Sequence, residues 1–190
     1  MKILALLGSP RVRSNSTLLA EAFLEACRAR GAAVETFHLN KMSYQGCQAC
    51  MGCKTKAEAC ILEDEMTPVY EAIRTVDVLV FASPVYFGDL SGQLKLALDR
   101  FYAYLTPDFA SRLPAGKQWV VFLTQANPDA APFADIFGRY EFFMKWLGFS
   151  PNHILRGCGL GGPGEVASRA ELLAQARELA NTVMDTGAKN

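Results

Sequence analysis

The chain has 190 residues, 51% of them hydrophobic, and its 19 basic residues are cancelled by 19 acidic ones. That length and apolar share can bury a full core without staples, and charge without long runs of one sign leaves no footprint for nucleic acid or an anionic membrane surface. No apolar stretch approaches the ~20 residues that span a bilayer, so one globular domain over 1–190 is expected, with neither membrane nor polyanion as partner.

Lys2 to Leu7 is a continuous apolar run broken by Gly8-Ser9-Pro10, the pattern of a strand buried on both faces of a parallel sheet. After the polar stretch Arg11 to Ser16, the residues Leu18, Leu19, Ala22, Phe23 and Ala26 recur at helical spacing until Gly31 stops them. Ala33 to Leu39 reads as a second strand, followed by a cysteine-rich loop at 44–62 and a short helix marked by Met66, Val69 and Ile73. Val76 to Ala82 is the most strand-like segment and ends in the loop Ser83-Pro84-Val85-Tyr86-Phe87-Gly88. A helix on Leu94, Ala97, Leu98 and Phe101 leads to a strand from Gln118 to Leu123. Phe133, Ile136, Phe137, Tyr140, Phe143 and Leu147 carry the next helix. Asn152 to Arg156 reads as a weaker fifth strand, and Val166, Ala170, Leu173, Ala176, Ala180 and Val183 as the closing helix before a polar tail.

Such alternation predicts an α/β fold, a doubly wound five-stranded parallel sheet with helices on both faces. The flavodoxin-like order 2-1-3-4-5 would place a ligand near the switch point after strands one and three. Both unusual loops of the sequence lie there.

Four of the six cysteines, Cys47, Cys50, Cys53 and Cys60, crowd into the loop after the second strand. Thiolates are soft donors, and three at two-residue intervals can converge on one face of a turn while a fourth closes from downstream, which suits a cubane iron–sulfur cluster. Zinc, disulfides and metal-free thiols compete with that reading. Structural zinc usually takes two well-separated Cys-x-x-Cys knuckles, whereas these pairs nearly overlap. Disulfides need an oxidising compartment, yet the run Ile3 to Leu7 is too short for a signal-peptide core, so the chain reads as cytoplasmic. The spacing is not that of a ferredoxin, because six residues separate Cys53 from Cys60 and no proline follows.

The first loop, Ser9 to Thr17, leads into a helix whose free amides and positive dipole end favour an anion. Hydroxyls of Ser9, Ser16 and Thr17, the amide of Asn15 and the guanidinium of Arg11 can all meet a phosphate; a helix cap alone would need only one of them. The second loop, with Pro84, Val85, Tyr86, Phe87 and Gly88, could offer backbone amides to the polar edge of a flavin while an aromatic shields the ring. The same aromatics could instead cover the sheet end as core.

Gly-Ser-Pro-Arg with Asn15-Ser16, the cysteine loop, and Ser83-Pro84-Val85-Tyr86-Phe87-Gly88 followed by Gln93-Leu94-Lys95 and Asp99-Arg100 together resemble the iron–sulfur flavoproteins of the NADPH-dependent FMN reductase superfamily. The resemblance covers most of residues 1 to 102. It implies FMN held at its phosphate by Ser9, Arg11, Asn15, Ser16 and Thr17 and at its ring by Pro84 to Gly88. It also implies a [4Fe-4S] cluster on Cys47, Cys50, Cys53 and Cys60, in a homodimer or homotetramer where one subunit's cluster can lie near a neighbour's flavin. The expected activity is an FMN-dependent oxidoreductase coupling two-electron to one-electron chemistry, with NAD(P)H or a ferredoxin-like donor and a small-molecule or protein acceptor. An NAD(P)H-dependent FMN or quinone reductase without a cluster, and a non-catalytic electron carrier, are the alternatives. In similar proteins the loop after the fourth strand is often glycine-rich and touches the flavin, whereas here it reads Thr124-Gln125-Ala126-Asn127-Pro128-Asp129.

Gly157-Cys158-Gly159-Leu160-Gly161-Gly162 matches G-x-G-x-x-G but lacks the further strand and acidic residue of a dinucleotide fold. It reads as a glycine loop near the flavin or a subunit interface. Cys27 and Cys158 are packing or incidental positions, and no side chain is expected to act as acid or base.

Overall fold

The computed structural model describes residues 1–187; positions 188–190 of the expected polar tail lie outside the described residues. In chain order the elements are β1 (Lys2–Leu7), α1 (Asn15–Ala29), β2 (Ala33–His38), α2 (Gly52–Thr55), α3 (Thr67–Thr75), β3 (Val78–Tyr86), β4 (Asp89–Leu90), α4 (Gly92–Asp99), β5 (Lys117–Thr124), α5 (Asp135–Trp146), β6 (Phe149–Gly157) and α6 (Ala170–Gly187). None of these helices is long and apolar enough to cross a membrane.

The sheet has six strands rather than five. Its path runs β2-β1-β3-β5-β6, all parallel, and β4 adds an antiparallel partner to β3 outside that path. The expected order 2-1-3-4-5 is corrected to 2-1-3-5-6 by this extra strand. Its cause is local: Val85 pairs with Leu90 and Tyr86 with Asp89 across Phe87-Gly88. Both central residues have positive φ, 49° and 85°, as a two-residue hairpin of the I′ type requires. The segment Ser83 to Tyr86, read as loop, therefore continues β3.

Side chains alternate across each central strand and are buried on both sides, which is why the runs are apolar throughout. Leu4 and Leu6, Leu79 and Phe81, and Trp119, Val121 and Leu123 enter one core with α3, α4 and α5. Ile3, Ala5 and Leu7, Val78, Val80 and Ala82, and Val120 and Phe122 enter the other with α1 and α6. With both faces covered, the loops at the strand ends are left for a ligand. Three smaller differences from the sequence reading are a one-turn α2 inside the cysteine loop, a β6 that starts at Phe149, and an α6 that starts at Ala170 after a 3₁₀ turn (Glu165–Ser168).

Gly8 lets β1 approach α4. Its N–H donates to Ala82 O at 2.8 Å, and its carbonyl accepts from Ser91 Oγ at 2.7 Å. Ser91 in turn caps α4 through Leu94 N. A Cβ on Gly8 would lie 2.7 Å from Ser91 Oγ and 2.8 Å from Leu94 Cβ. Gly8→Ala is expected to cost about 1–3 kcal/mol through overpacking; a denaturant midpoint equal to that of the wild type would show that this approach is not tight.

Candidate functional site

Two clefts border the loops that the sequence marks out. The first is lined by Ser9, Arg11, Ser14 and Asn15 on one side and by Pro84, Val85 and Tyr86 on another, so the two loops singled out in the sequence share one cavity. Ser14 is the N-cap of α1 and accepts from Thr17 N. The amides of Asn15 and Ser16, the first two of the helix, have no intrahelical partner and carry the positive end of its dipole. Arg11 is exposed and donates to Gly161 O at 2.9 Å.

Several side chains have other duties than those read from sequence. Ser16 is buried and pairs with Ser14 Oγ at 3.0 Å, and Thr17 is buried without lining the cleft. The Asn15 amide donates to Gly162 O at 2.8 Å and Leu160 O at 3.4 Å, and its oxygen accepts from Val166 N at 3.0 Å. It ties the glycine loop to the start of α1. Phe87 projects into solvent from the hairpin tip, and neither it nor Gly88 lines the cleft.

Thr124, Gln125, Ala126, Leu160 and Gly161 complete the lining. The 124–129 loop needs no glycine run because Gln125, almost wholly buried, folds it by donating to Asn127 O at 3.1 Å and Asp129 O at 2.6 Å. Gln125 N donates to Gly157 O and Leu160 N to Gln125 O, joining the two loops into one wall. A glutamine at the end of a buried strand was the available signal for this; Ser14 was legible as a cap.

The second cleft is lined by Cys47, Cys50, Cys53 and Cys60 together with Ile61, Arg100 and Tyr102. All six cysteines of the chain are free thiols. Among the described residues, no three of His, Cys, Asp and Glu are drawn close enough to chelate one metal ion. The loop is nonetheless tightly built. Ala49 and Met51 both have positive φ, 51° and 57°, a conformation that costs a non-glycine residue about 1 kcal/mol. Lys54 Nζ donates to Tyr102 O at 2.7 Å and to Leu105 O, and Arg112 donates to Cys53 O at 3.1 Å. Burial pushes the Cys53 thiol up, against the pull of the Lys54 charge.

Arg100 anchors this loop. Its side chain is fully buried, and it donates to Asp64, to Gln45 O and Leu62 O at 3.1 Å each, and to Cys60 Sγ at 3.5 Å. Burial alone would lift the Asp64 carboxyl, but the guanidinium and the amides of Met66 and Gln45 hold it below its ordinary value.

A profile of the family described as NADPH-dependent FMN reductase matches residues 1–126. An iron–sulfur flavoprotein of Methanosarcina thermophila is 33% identical over 116 residues, 61% of this chain and 60% of that protein; the match thus spans less than two thirds of that relative. An iron–sulfur flavoprotein of Archaeoglobus fulgidus is 28% identical over 186 residues, 97% of this chain and 80% of that one. Among solved structures, an NAD(P)H:quinone oxidoreductase from Methanothermobacter marburgensis superposes with a TM-score of 0.76 at 21% identity, covering 97% of both chains. That likeness concerns the fold.

Asn15→Ala would leave two carbonyls and an amide of the glycine loop without their partner, at about 1–3 kcal/mol for each that stays buried. Amide hydrogen exchange over residues 157–166 is expected to accelerate in the variant. Unchanged protection there would contradict the tethering role.

Proposed function

The chain belongs to the NADPH-dependent FMN reductase family, and we propose that it is an FMN-dependent oxidoreductase in which the flavin works beside a [4Fe-4S] cluster. One observation carries this reading: the four clustered cysteines line a single cleft, and a second cleft is built from the phosphate-type loop and the end of β3.

The chemistry of each lining suits its group, soft thiols for a cluster and hydroxyls, amides and a guanidinium for a phosphate. At the flavin cleft, the Asn15 and Ser16 amides are unpaired within α1 and face the place for an anion. Ser9 and Arg11 add a hydroxyl and a charge, with Ser16 and Thr17 shaping the turn behind them. Pro84 to Tyr86 flank the ring, Phe87 and Gly88 turn the hairpin that holds them, and Thr124 to Ala126 with Leu160 and Gly161 form the opposite wall. At the cysteine cleft the donor set is four thiols, and behind it the Tyr70 hydroxyl, near the Cys60 side chain, is buried without a hydrogen-bond partner, a donor that an iron-bound thiolate would satisfy. When bound, FMN supplies hydride acceptance and one-electron release, and a cluster supplies one-electron exchange.

The protein's own contribution is binding, orientation and charge. Lys54, Arg100 and Arg112 set three cations around the loop. NAD(P)H is the donor favoured by the family, with a ferredoxin-like protein as the alternative, and a small molecule or protein as acceptor. The whole chain is read as one flavodoxin-like domain of the cytoplasm, where six free thiols stay reduced. Exposed Phe109, Phe142, Phe143 and Trp146, packed into one aromatic patch on and beside α5, support assembly into a homodimer or homotetramer.

A crossed pair of variants tests the reading. Cys50→Ala is expected to lose iron and sulfide while keeping FMN, and Arg11→Ala to keep iron while binding FMN about 10–100-fold more weakly, with little change toward riboflavin, which lacks the phosphate. Wild-type iron in Cys50→Ala would remove it from the ligand set; equal loss of FMN and riboflavin in Arg11→Ala would move Arg11 off the phosphate.

A further inference from the structure

Two donors beside Cys60 have no part in the flavin cleft. Tyr70 is buried, and its hydroxyl lacks a hydrogen-bond partner, which leaves about 1–3 kcal/mol of desolvation uncompensated. Arg100 Nε is buried and unpartnered as well. Both side chains stand beside Cys60: Arg100 Nη2 is 3.5 Å from its Sγ, the guanidinium lies 5.2 Å over the Tyr70 ring, and the Tyr70 hydroxyl is close enough to the Cys60 side chain to interact with it. A neutral thiol is a weak acceptor. A metal-bound thiolate keeps negative charge and takes stronger, charge-assisted hydrogen bonds.

We infer that Tyr70 and Arg100 are positioning residues that donate to the Cys60 sulfur and thereby raise the reduction potential of a cluster held by Cys47, Cys50, Cys53 and Cys60. The inference rests on the cluster reading above. One electron taken up by the cluster adds negative charge that spreads onto its thiolate sulfurs. Donors fixed at one of those sulfurs stabilise the reduced form more than the oxidised one, so the potential rises. Cys47 and Cys50 are exposed, and Cys60 is the partly buried corner packed against the core. The two donors can be separated. Arg100 also clamps the loop through Gln45, Leu62 and Asp64, so replacing it perturbs structure, whereas Tyr70→Phe removes one hydroxyl that holds nothing else in the fold.

The test is an anaerobic redox titration with dithionite as the one-electron reductant, followed by the EPR signal of the reduced cluster. Wild type, Tyr70→Phe and Arg100→Lys are compared, each with its iron and sulfide counted. Tyr70→Phe is expected to keep wild-type iron and folding stability while its midpoint moves to more negative potential. Arg100→Lys, which keeps the charge but loses the planar fork, is expected to move in the same direction and is read in the same way if Tyr70→Phe fails to load. A loaded Tyr70→Phe with the wild-type midpoint would overturn the inference and leave the cluster reading standing. Wild-type protein without iron, after anaerobic preparation and reconstitution with iron and sulfide, would overturn both.

Discussion

The site depends on one buried charge. A guanidinium fully withdrawn from water costs several kcal/mol unless its surroundings replace the lost hydration, and Arg100 is withdrawn completely. Asp64 supplies the counter-charge, two main-chain carbonyls and the Cys60 sulfur take further N–H groups, and the Tyr70 ring lies against its face. Residues 45, 60, 62 and 64 thus meet on one side chain, which closes the cysteine loop at both ends. Removing Arg100 would leave Asp64 facing a buried void, so the loop and the arginine form one unit.

Arg100 also terminates α4, and this gives the molecule its internal strut. At the other end of that helix, about 12 Å away for eight residues, Ser91 caps the first turn and holds the Gly8 carbonyl where β1 enters the phosphate-type loop. Along its length, α4 receives the start of the cysteine loop: Tyr44 donates to Gln93 O, and Gly46 sits against Leu96. One short helix therefore braces the entry to the phosphate-type loop at one end and the cysteine loop at the other. A helix packed at both ends fixes the separation of the two loops without moving parts.

Much of this was legible in the sequence because the core is two-sided. Runs such as Ile3 to Leu7 and Val78 to Ala82 have no polar face, and only a strand covered by helices on both sides tolerates that. The hairpin after β3 was hidden by Pro84, which discourages a strand assignment, and by Phe87, an unusual residue at positive φ. Asn15 read as a phosphate ligand because its type fits that task, yet its side chain is spent on the glycine loop, a contact across 147 residues of sequence that local pattern does not encode. The same holds for Gln125. The role of Arg100 was visible only as part of a family-like Asp-Arg pair; that its charge would be buried against the cysteine loop follows from the packing of α4.

The central claim is that one chain carries a flavin and an iron–sulfur centre at two separate clefts. Iron, acid-labile sulfide and FMN per chain, measured on protein purified without oxygen, test it most directly. The account predicts about four irons and four sulfides beside one FMN, with visible absorption that bleaches on dithionite reduction. One FMN without iron or sulfide, persisting after reconstitution, would contradict it and leave a plain flavin reductase.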